Sequence, residues 1–297
     1  MVERQKADVL FDSHPAVTFL YFGLMLWYSV WFLHPLCLLF SFGGALAYRI
    51  DLGGTGTVRM AALLVPALLL PALLNPLLNH AGMRVLFYLP SGNPLTLESV
   101  IYGAASAVML ASVLLWFSCY ASVVCSDKFI YLFGRMLPVL SLMLSMTLRF
   151  IPEFAARIRE TAAAQKGLGH DLRKGSLLQR GKAGMELFSI VTTWALEHAG
   201  ETAVSMKSRG YGLPGRTAFS LYRMSERDRE LLLWFGFCGS YIFCGWASKQ
   251  LEFQYFPQIA AGNFSPMTAS VWLVYALFCL TPVILNGKER RKWKHFS

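Results

Sequence analysis

Residues 99–124 read SVIYGAASAVMLASVLLWFSCYASVV, a run of 26 residues without a single charge. A helix needs roughly 20 apolar residues to cross a bilayer, so this run predicts a membrane span. Comparable runs lie outward from it at 16–32, 35–50, 60–78, 231–246 and 267–285. The whole chain agrees, with 55% hydrophobic and only 15% charged residues and a mean hydropathy of +0.46; soluble domains carry about 25% charged residues. The 297 residues are predicted to form an all-α, polytopic helical membrane protein with about six transmembrane helices.

Past residue 126 the composition changes. Residues 127–229 hold 16 of the 27 Lys and Arg residues, which divides the chain into three parts. Residues 1–126 form an N-terminal block of about four spans, 127–229 a cytoplasmic or membrane-interface region, and 230–297 two further spans with a basic tail. Pro66, Pro71 and Pro76 in the third run predict a kinked helix whose freed carbonyls need partners inside the protein. A further apolar stretch at 137–151 is too short for a comfortable span and is expected to be buried or to enter the membrane only in part. The first run is expected to stay as a span, because a second run follows directly and no small-residue cleavage site stands between them.

Lys and Arg placement orients the chain, since basic loops are retained in the cytoplasm. With six spans and both termini inside, 25 of the 27 basic residues lie on the cytoplasmic side, and only Arg84 and Lys249 fall in outer loops. The net charge of +10 is thus chiefly a topology signal in a multi-pass plasma-membrane protein, with contact to anionic lipid second. Nucleic acid is not implied.

The spans are poor in chemistry. They contain no Asp, Glu or Lys, and Arg49 sits at an edge, whereas ion-coupled transporters usually keep ionisable residues at membrane depth. His14, His34, His80, His170, His198 and His295 lack the HExxH spacing that places two metal ligands on one helical face. Cys37, Cys119, Cys125, Cys238, Cys244 and Cys279 lie in or beside apolar runs and read as packing residues. No phosphate loop is present, because Gly181-Lys182 is followed by Ala183. No catalytic residue, metal or cofactor is expected.

The central region reads as two helices. Pro152 suits a first helical turn, Phe154, Ile158 and Ala162 form an apolar seam, and Gly167 and Gly169 end the helix. A second helix runs from about residue 177 to 207, with Leu187, Phe188, Ile190 and Val191 apolar and with Ala195, Ala199 and Ala203 spaced by four. Such a small-residue stripe suits close approach of another helix. Each helix exit is glycine-rich, at Gln165-Lys166-Gly167-Leu168-Gly169 and at Ser208-Arg209-Gly210. An arginine beside a glycine joins a fork-shaped cation to a permissive backbone.

These residues resemble the T component of energy-coupling factor importers (the EcfT or CbiQ-like family). The likeness rests on Ser145-Met146-Thr147-Leu148-Arg149-Phe150-Ile151-Pro152, on Ile158-Arg159-Glu160 leading to Ala164-Gln165-Lys166, and on Met206-Lys207-Ser208-Arg209-Gly210-Tyr211-Gly212. His14-Pro15, Tyr21-Phe22, His34-Pro35 and Asn75-Pro76-Leu77 add to it. The resemblance implies a noncatalytic scaffold whose long cytoplasmic coupling helices join two ABC-type ATPase subunits to a substrate-binding membrane S component, for uptake of a vitamin, related micronutrient or metal ion. In that family two Ala-Arg-Gly motifs close the coupling helices. Here the first corresponds to Gly167-Leu168-Gly169, with Leu168 in place of the arginine, and Lys166 or Arg173 is a candidate for the displaced charge; the second, Ser208-Arg209-Gly210, keeps it. The rival readings are a self-contained secondary transporter, which requires ion ligands in the spans, and a membrane enzyme acting on lipid or isoprenoid, which requires paired carboxylates or a histidine cluster.

The orientation is tested by placing a cysteine at Gly181 in a chain whose own cysteines are replaced. In intact cells an impermeant thiol reagent is expected to leave it unmodified and to modify it only after the membrane is opened. Labelling before opening would overturn the topology.

Overall fold

The computed structural model describes residues 8–53, 56–79, 81–88, 94–134, 137–169, 176–213, 222–261 and 265–294, with the side chains at 56–63, 134, 138, 261, 293 and 294 left aside. Arg4, Lys6, His80, Arg173, His170 and His295 lie outside the described residues, and so does the side chain of Arg59. The chain divides into two units, one of Met1–Phe129 with Tyr222–Ser297 and one of Ile130–Leu221.

In the first unit the helices are α1 (Val9–Asp12), α2 (Pro15–Trp31), α3 (Pro35–Leu52), α4 (Gly56–Leu78) and α5 (Leu97–Val123); α6 (Ser126–Gly134) begins there and runs past its boundary. The first unit is completed by α9 (Glu226–Ala247) and α10 (Pro266–Lys294), while α7 (Pro138–Gly167) and α8 (Leu177–Ser208) belong to the second unit. Two small antiparallel hairpins, Val85–Tyr88 with Pro94–Thr96 and Phe253–Gln254 with Ala260–Ala261, lie in connections that sequence periodicity left as loops. The six expected spans correspond to α2, α3, α4, α5, α9 and α10.

The stretch at 137–151 is where the structure departs most from the sequence reading. It is the first half of the 30-residue α7, and residues Val139–Gly167 are long and apolar enough to cross a membrane by length and composition. Pro152, expected in a first turn, lies inside the helix. A proline costs an interior helix the bond to the carbonyl four residues earlier, but the turns on either side carry the helix past it. Among the described residues five helices meet the length and hydropathy of a span, namely Pro35–Leu52, Leu97–Val123, Val139–Gly167, Glu226–Ala247 and Pro266–Lys292; Pro15–Trp31 and Leu64–Leu78 are shorter apolar helices. The protein is a multi-pass helical membrane protein.

The core of the first unit is aromatic and is organised around α2. Tyr21 lies 4.9 Å from Phe235, 5.3 Å from Phe278 and 6.0 Å from Trp116 between ring centroids, so α2 meets α9, α10 and α5 through one side chain. Ring pairs at such separations are worth about 0.5–1.5 kcal/mol each beyond their area. Two polar side chains bond across helices, the Tyr28 hydroxyl donating to the Gly239 carbonyl at 2.7 Å and Trp116 Nε1 donating to Ser41 Oγ at 3.1 Å. Interhelical hydrogen bonds within membranes average about 0.6 kcal/mol, so packing carries more of the bundle than they do.

The proline-rich α4 stays one helix and finds its partner in α5. Pro76 removes the donor for the Ala72 carbonyl, and that carbonyl faces Gly103, where a β-carbon would stand 3.3 Å from the oxygen and 3.2 Å from Pro76 Cδ. Asn75 Nδ2 donates to Ser106 Oγ at 3.0 Å in the same contact. The freed carbonyl thus packs against α5 at Gly103, where no side chain intervenes.

The helix starts carry an unusual cap. His14 and His34 each precede a proline, and their Nδ1 atoms accept from the backbone N–H of Ala16 at 3.2 Å and of Leu36 at 3.3 Å. Histidine replaces the usual Ser, Thr, Asp or Asn, while proline takes the first helical position that needs no donor. Burial pushes both imidazoles below their ordinary pKa, which keeps Nδ1 free to accept.

At one end of the unit a polar cluster fixes α1. Asn286 Nδ2 donates to Asp8 Oδ1 at 2.8 Å and to Asp51 Oδ2 at 2.9 Å, while its Oδ1 accepts from the Val9 N–H at 3.0 Å. The Tyr48 hydroxyl donates to Asp8 Oδ2 at 2.8 Å, and Arg290 pairs with Asp51. Lys128, only 2% exposed, donates to the Leu10 carbonyl at 3.0 Å. Burial raises the Asp8 carboxyl above its ordinary pKa against the hydrogen bonds that lower it, and lowers the Lys128 ammonium.

Asn286→Leu conserves approximate size and removes both donors. An unpaired buried polar group costs about 1–3 kcal/mol, more when charged, so the thermal unfolding midpoint of the detergent-purified chain is expected to fall. An unchanged midpoint would show the amide to be dispensable.

Candidate functional site

The sequence singled out the two helix exits, and both lie in the second unit. In α8 a capping box opens the helix, with the Ser176 hydroxyl accepting from the Gln179 N–H and the Gln179 side chain accepting from the Ser176 N–H at 3.0 Å. The helix then runs 32 residues to Ser208. Its exit closes the last turn twice, through Gly210 N–H to the Lys207 carbonyl at 3.1 Å and Tyr211 N–H to the Met206 carbonyl at 3.1 Å. This paired closure is the Schellman arrangement, which needs a left-handed residue after the cap. Gly210 supplies it at φ +78°.

The α7 exit repeats the cap conformation and the first of these bonds, and the residue after Gly169 lies outside the described residues. Leu168 has φ −82° and ψ 0°, against −85° and 12° for Arg209, and Gly169 stands at φ +92°. The Gly169 N–H donates to the Lys166 carbonyl at 3.2 Å, as Gly210 does to Lys207. By backbone, Lys166, Gly167, Leu168 and Gly169 therefore match Lys207, Ser208, Arg209 and Gly210. Two side chains change, Gly167 to Ser208 and, at the knob, an isobutyl group to a guanidinium. Both knobs face outward, for Leu168 is 76% exposed and Arg209 is exposed with no side-chain hydrogen bond or ion pair among the described residues. Lys166 is exposed beside the apolar knob.

The two helices meet through aromatic and charged side chains. Trp194 of α8 lies edge-on to Phe154 at 5.6 Å and stacks on His198 at 5.2 Å, with Arg157 over its ring at 5.4 Å. His198 contacts Phe150 at 5.9 Å, and its Nε2 lies 3.4 Å from Glu153. A cation over a tryptophan face contributes about 0.5–1 kcal/mol at exposed sites. The pairing of 150 with 198 and 154 with 194 makes the crossing antiparallel. Leu168 lies 14 residues beyond Phe154 and Arg209 lies 15 beyond Trp194. At 1.5 Å per residue these arms are roughly 21 and 22 Å long.

Ala199 and Ala203 of the alanine stripe lie outside that crossing. Val191 is buried, while Trp194, Ala195, His198 and Thr202 are partly covered; Ala199 and Ala203 are exposed. The α7 face therefore takes the row next to the stripe, because a tryptophan and a histidine fill a wide gap that alanines would leave open. Sequence reasoning missed Trp194 and His198 as the centre of the crossing. Their spacing of four on one helical face, opposite Phe150 and Phe154 at the same spacing, was the available signal.

Among the described residues no group of three or more His, Cys, Asp or Glu side chains could hold a metal ion. The exits offer recognition chemistry, with one cationic fork able to make paired hydrogen bonds to a carboxylate and one apolar knob able to fill a pocket.

No family model matches the chain. A stretch of 100 residues, 33% of the chain, is 39% identical to the energy-coupling factor transporter transmembrane protein EcfT of Listeria innocua and covers 38% of that protein. The EcfT protein of Lactococcus lactis is 36% identical over 95 residues, which is 32% of this chain and 36% of that protein. That of Bacillus subtilis is 35% identical over 100 residues, again 33% and 38%. The match spans less than two-fifths of the length of these relatives. Over about a third of its length, the chain is a relative of the energy-coupling factor transporter transmembrane protein EcfT.

Proposed function

We propose that the chain is the noncatalytic transmembrane coupling subunit of an energy-coupling factor importer. In this reading two ABC-type ATPase subunits dock on the exits at Leu168 and Arg209, and a substrate-binding membrane subunit lies against the coupling helices α7 and α8. The cargo is a vitamin, a related micronutrient or a metal ion. The observation that carries the reading is the repeated exit geometry at equal arm lengths from one crossing. Two equivalent knobs on one chain suit a partner that presents two equivalent grooves.

Exposed apolar side chains support it. Leu140, Met143 and Ile151 on α7 and Phe188, Leu196 and Val204 on α8 are all at least 57% exposed, an apolar surface available to lipid or to a partner subunit. Ala199 and Ala203 belong to the same open surface and are proposed to receive a helix of the substrate-binding subunit. The cytoplasmic placement of both termini and of the exits is part of the proposal.

For motion to pass through the chain, ATP-driven closure of the partner must change its contacts with the knobs, because a ligand shifts an equilibrium only through differential affinity. Arg209 holds its groove by charge and Leu168 by apolar contact. The Trp194 crossing joins the two arms, so displacement of one exit is felt at the other.

Arg209→Ala is expected to weaken attachment of the ATPases by roughly 2–5 kcal/mol, since the partner charge stays buried and unpaired. Leu168→Ala is expected to cost less, about 1–3 kcal/mol, as lost apolar burial. Co-purification of the ATPases from detergent extracts measures both, and full recovery with Arg209→Ala would remove the docking role of that exit.

Trp194→Ala leaves both knobs intact and opens the crossing. In vesicles reconstituted with equal ATPase content, substrate uptake per ATP hydrolysed is expected to fall severalfold while the ATPases remain bound. An unchanged ratio would show that the crossing transmits nothing.

A further inference from the structure

The outer face of the first unit carries a groove between α9 and α10 of about 360 Å³. Leu231 and Trp234 form one wall and Leu277 and Ile284 the other, with Glu230 and Lys288 on the rim. The spacing of 277, 284 and 288 places these residues along one face of α10. The groove is therefore apolar along the bundle and charged at a single end, the end of α10 that leads into the basic tail. Its volume falls in the range of ordinary ligand pockets, about 300–1,000 Å³.

The rim charges are of opposite sign and are available. Neighbouring charges are already engaged, Glu289 by Arg227 and Arg290 by Asp51. Glu230 and Lys288 make no ion pair or side-chain hydrogen bond among the described residues. Trp234, 43% exposed, lies in the same groove, and tryptophan is enriched where a membrane protein meets the headgroups. By contrast, the groove between α2 and α9, lined by Leu24, Trp27, Gly239 and Phe243, has no charged lining residue. It offers nothing that selects an occupant.

We propose that the α9–α10 groove is a binding site for a phospholipid with a primary-ammonium headgroup. One acyl chain lies between Leu231, Leu277 and Ile284, the phosphate accepts from Lys288 Nζ, and the ammonium donates to the Glu230 carboxylate beside the Trp234 ring. An anionic headgroup without an ammonium leaves Glu230 facing negative charge. A choline headgroup carries a cation but has no N–H to donate. Basic pockets between membrane helices are known to take lipid headgroups, and here the added carboxylate sets the preference. The site is independent of whether the chain couples ATPases to a substrate-binding subunit, since it needs only the bilayer.

The test uses the full chain purified in detergent and supplied separately with phosphatidylethanolamine, phosphatidylglycerol or phosphatidylcholine of identical acyl chains. Native mass spectrometry measures retained lipid. A hydrogen bond to a charged group corresponds to roughly a tenfold change in affinity or more, so the parent is expected to retain phosphatidylethanolamine about tenfold over the other two. Glu230→Gln should erase that preference without lowering phosphatidylglycerol retention. Lys288→Ala should lower retention of all three, Lys288→Arg should restore it, and Ile284→Trp should fill the groove and release them. Circular dichroism and unfolding midpoints confirm that each variant folds. Equal retention of the three lipids by the parent overturns the headgroup assignment, and retention unchanged by Lys288→Ala and Ile284→Trp overturns the site.

Discussion

One side-chain amide holds the ends of the first unit together. Asn286 has two donors and an acceptor, and all are used, on Asp8, Asp51 and the Val9 N–H. Two carboxylates therefore sit at the edge of an apolar bundle without an unpaired oxygen facing it, a condition that low-dielectric surroundings enforce strongly. Tyr48 and Arg290 complete the same pair of carboxylates. The aromatic packing around Tyr21 is larger in energy, but it has no directional preference comparable to this cluster, which decides where α1 sits on α3 and α10.

The second unit solves a different problem. In the proposed role it presents chemistry at its ends, while the contact between its helices is aromatic and charged, built from Trp194, His198, Glu153 and Arg157. The exits repeat one backbone form with two different side chains. Identical φ/ψ regions at Leu168 and Arg209 mean that the reach and direction of the backbone are common to both, and only the contact chemistry differs. Two unlike knobs thus stand on like backbones.

Much of this was legible in the sequence. The spans were readable because uncharged runs of such length have few alternatives, and the exits because glycine after a long helix is read directly as a left-handed cap. The extent of α7 was not readable, since Pro152 carries the same local signature at a helix start as in a helix that passes through it. The alanine stripe was visible, yet the crossing went to Trp194 and His198, because a spacing of four alone does not tell which of two adjacent rows faces the neighbour. The histidine caps were quoted only as motifs, since histidine is a rare capping residue. The Asp8–Asn286 contact joins positions 278 apart, and no local pattern encodes such a pair.

That separation has a consequence for biogenesis. Ribosomes add about 5–20 residues per second, so an interval of roughly 15 to 55 seconds passes between synthesis of Asp8 and synthesis of its partner amide. Throughout it, the first helices enter the bilayer with their carboxylates still lacking the amide that later holds them. A chain interrupted before Asn286 therefore has its first spans but not the amide that joins Asp8 to Asp51.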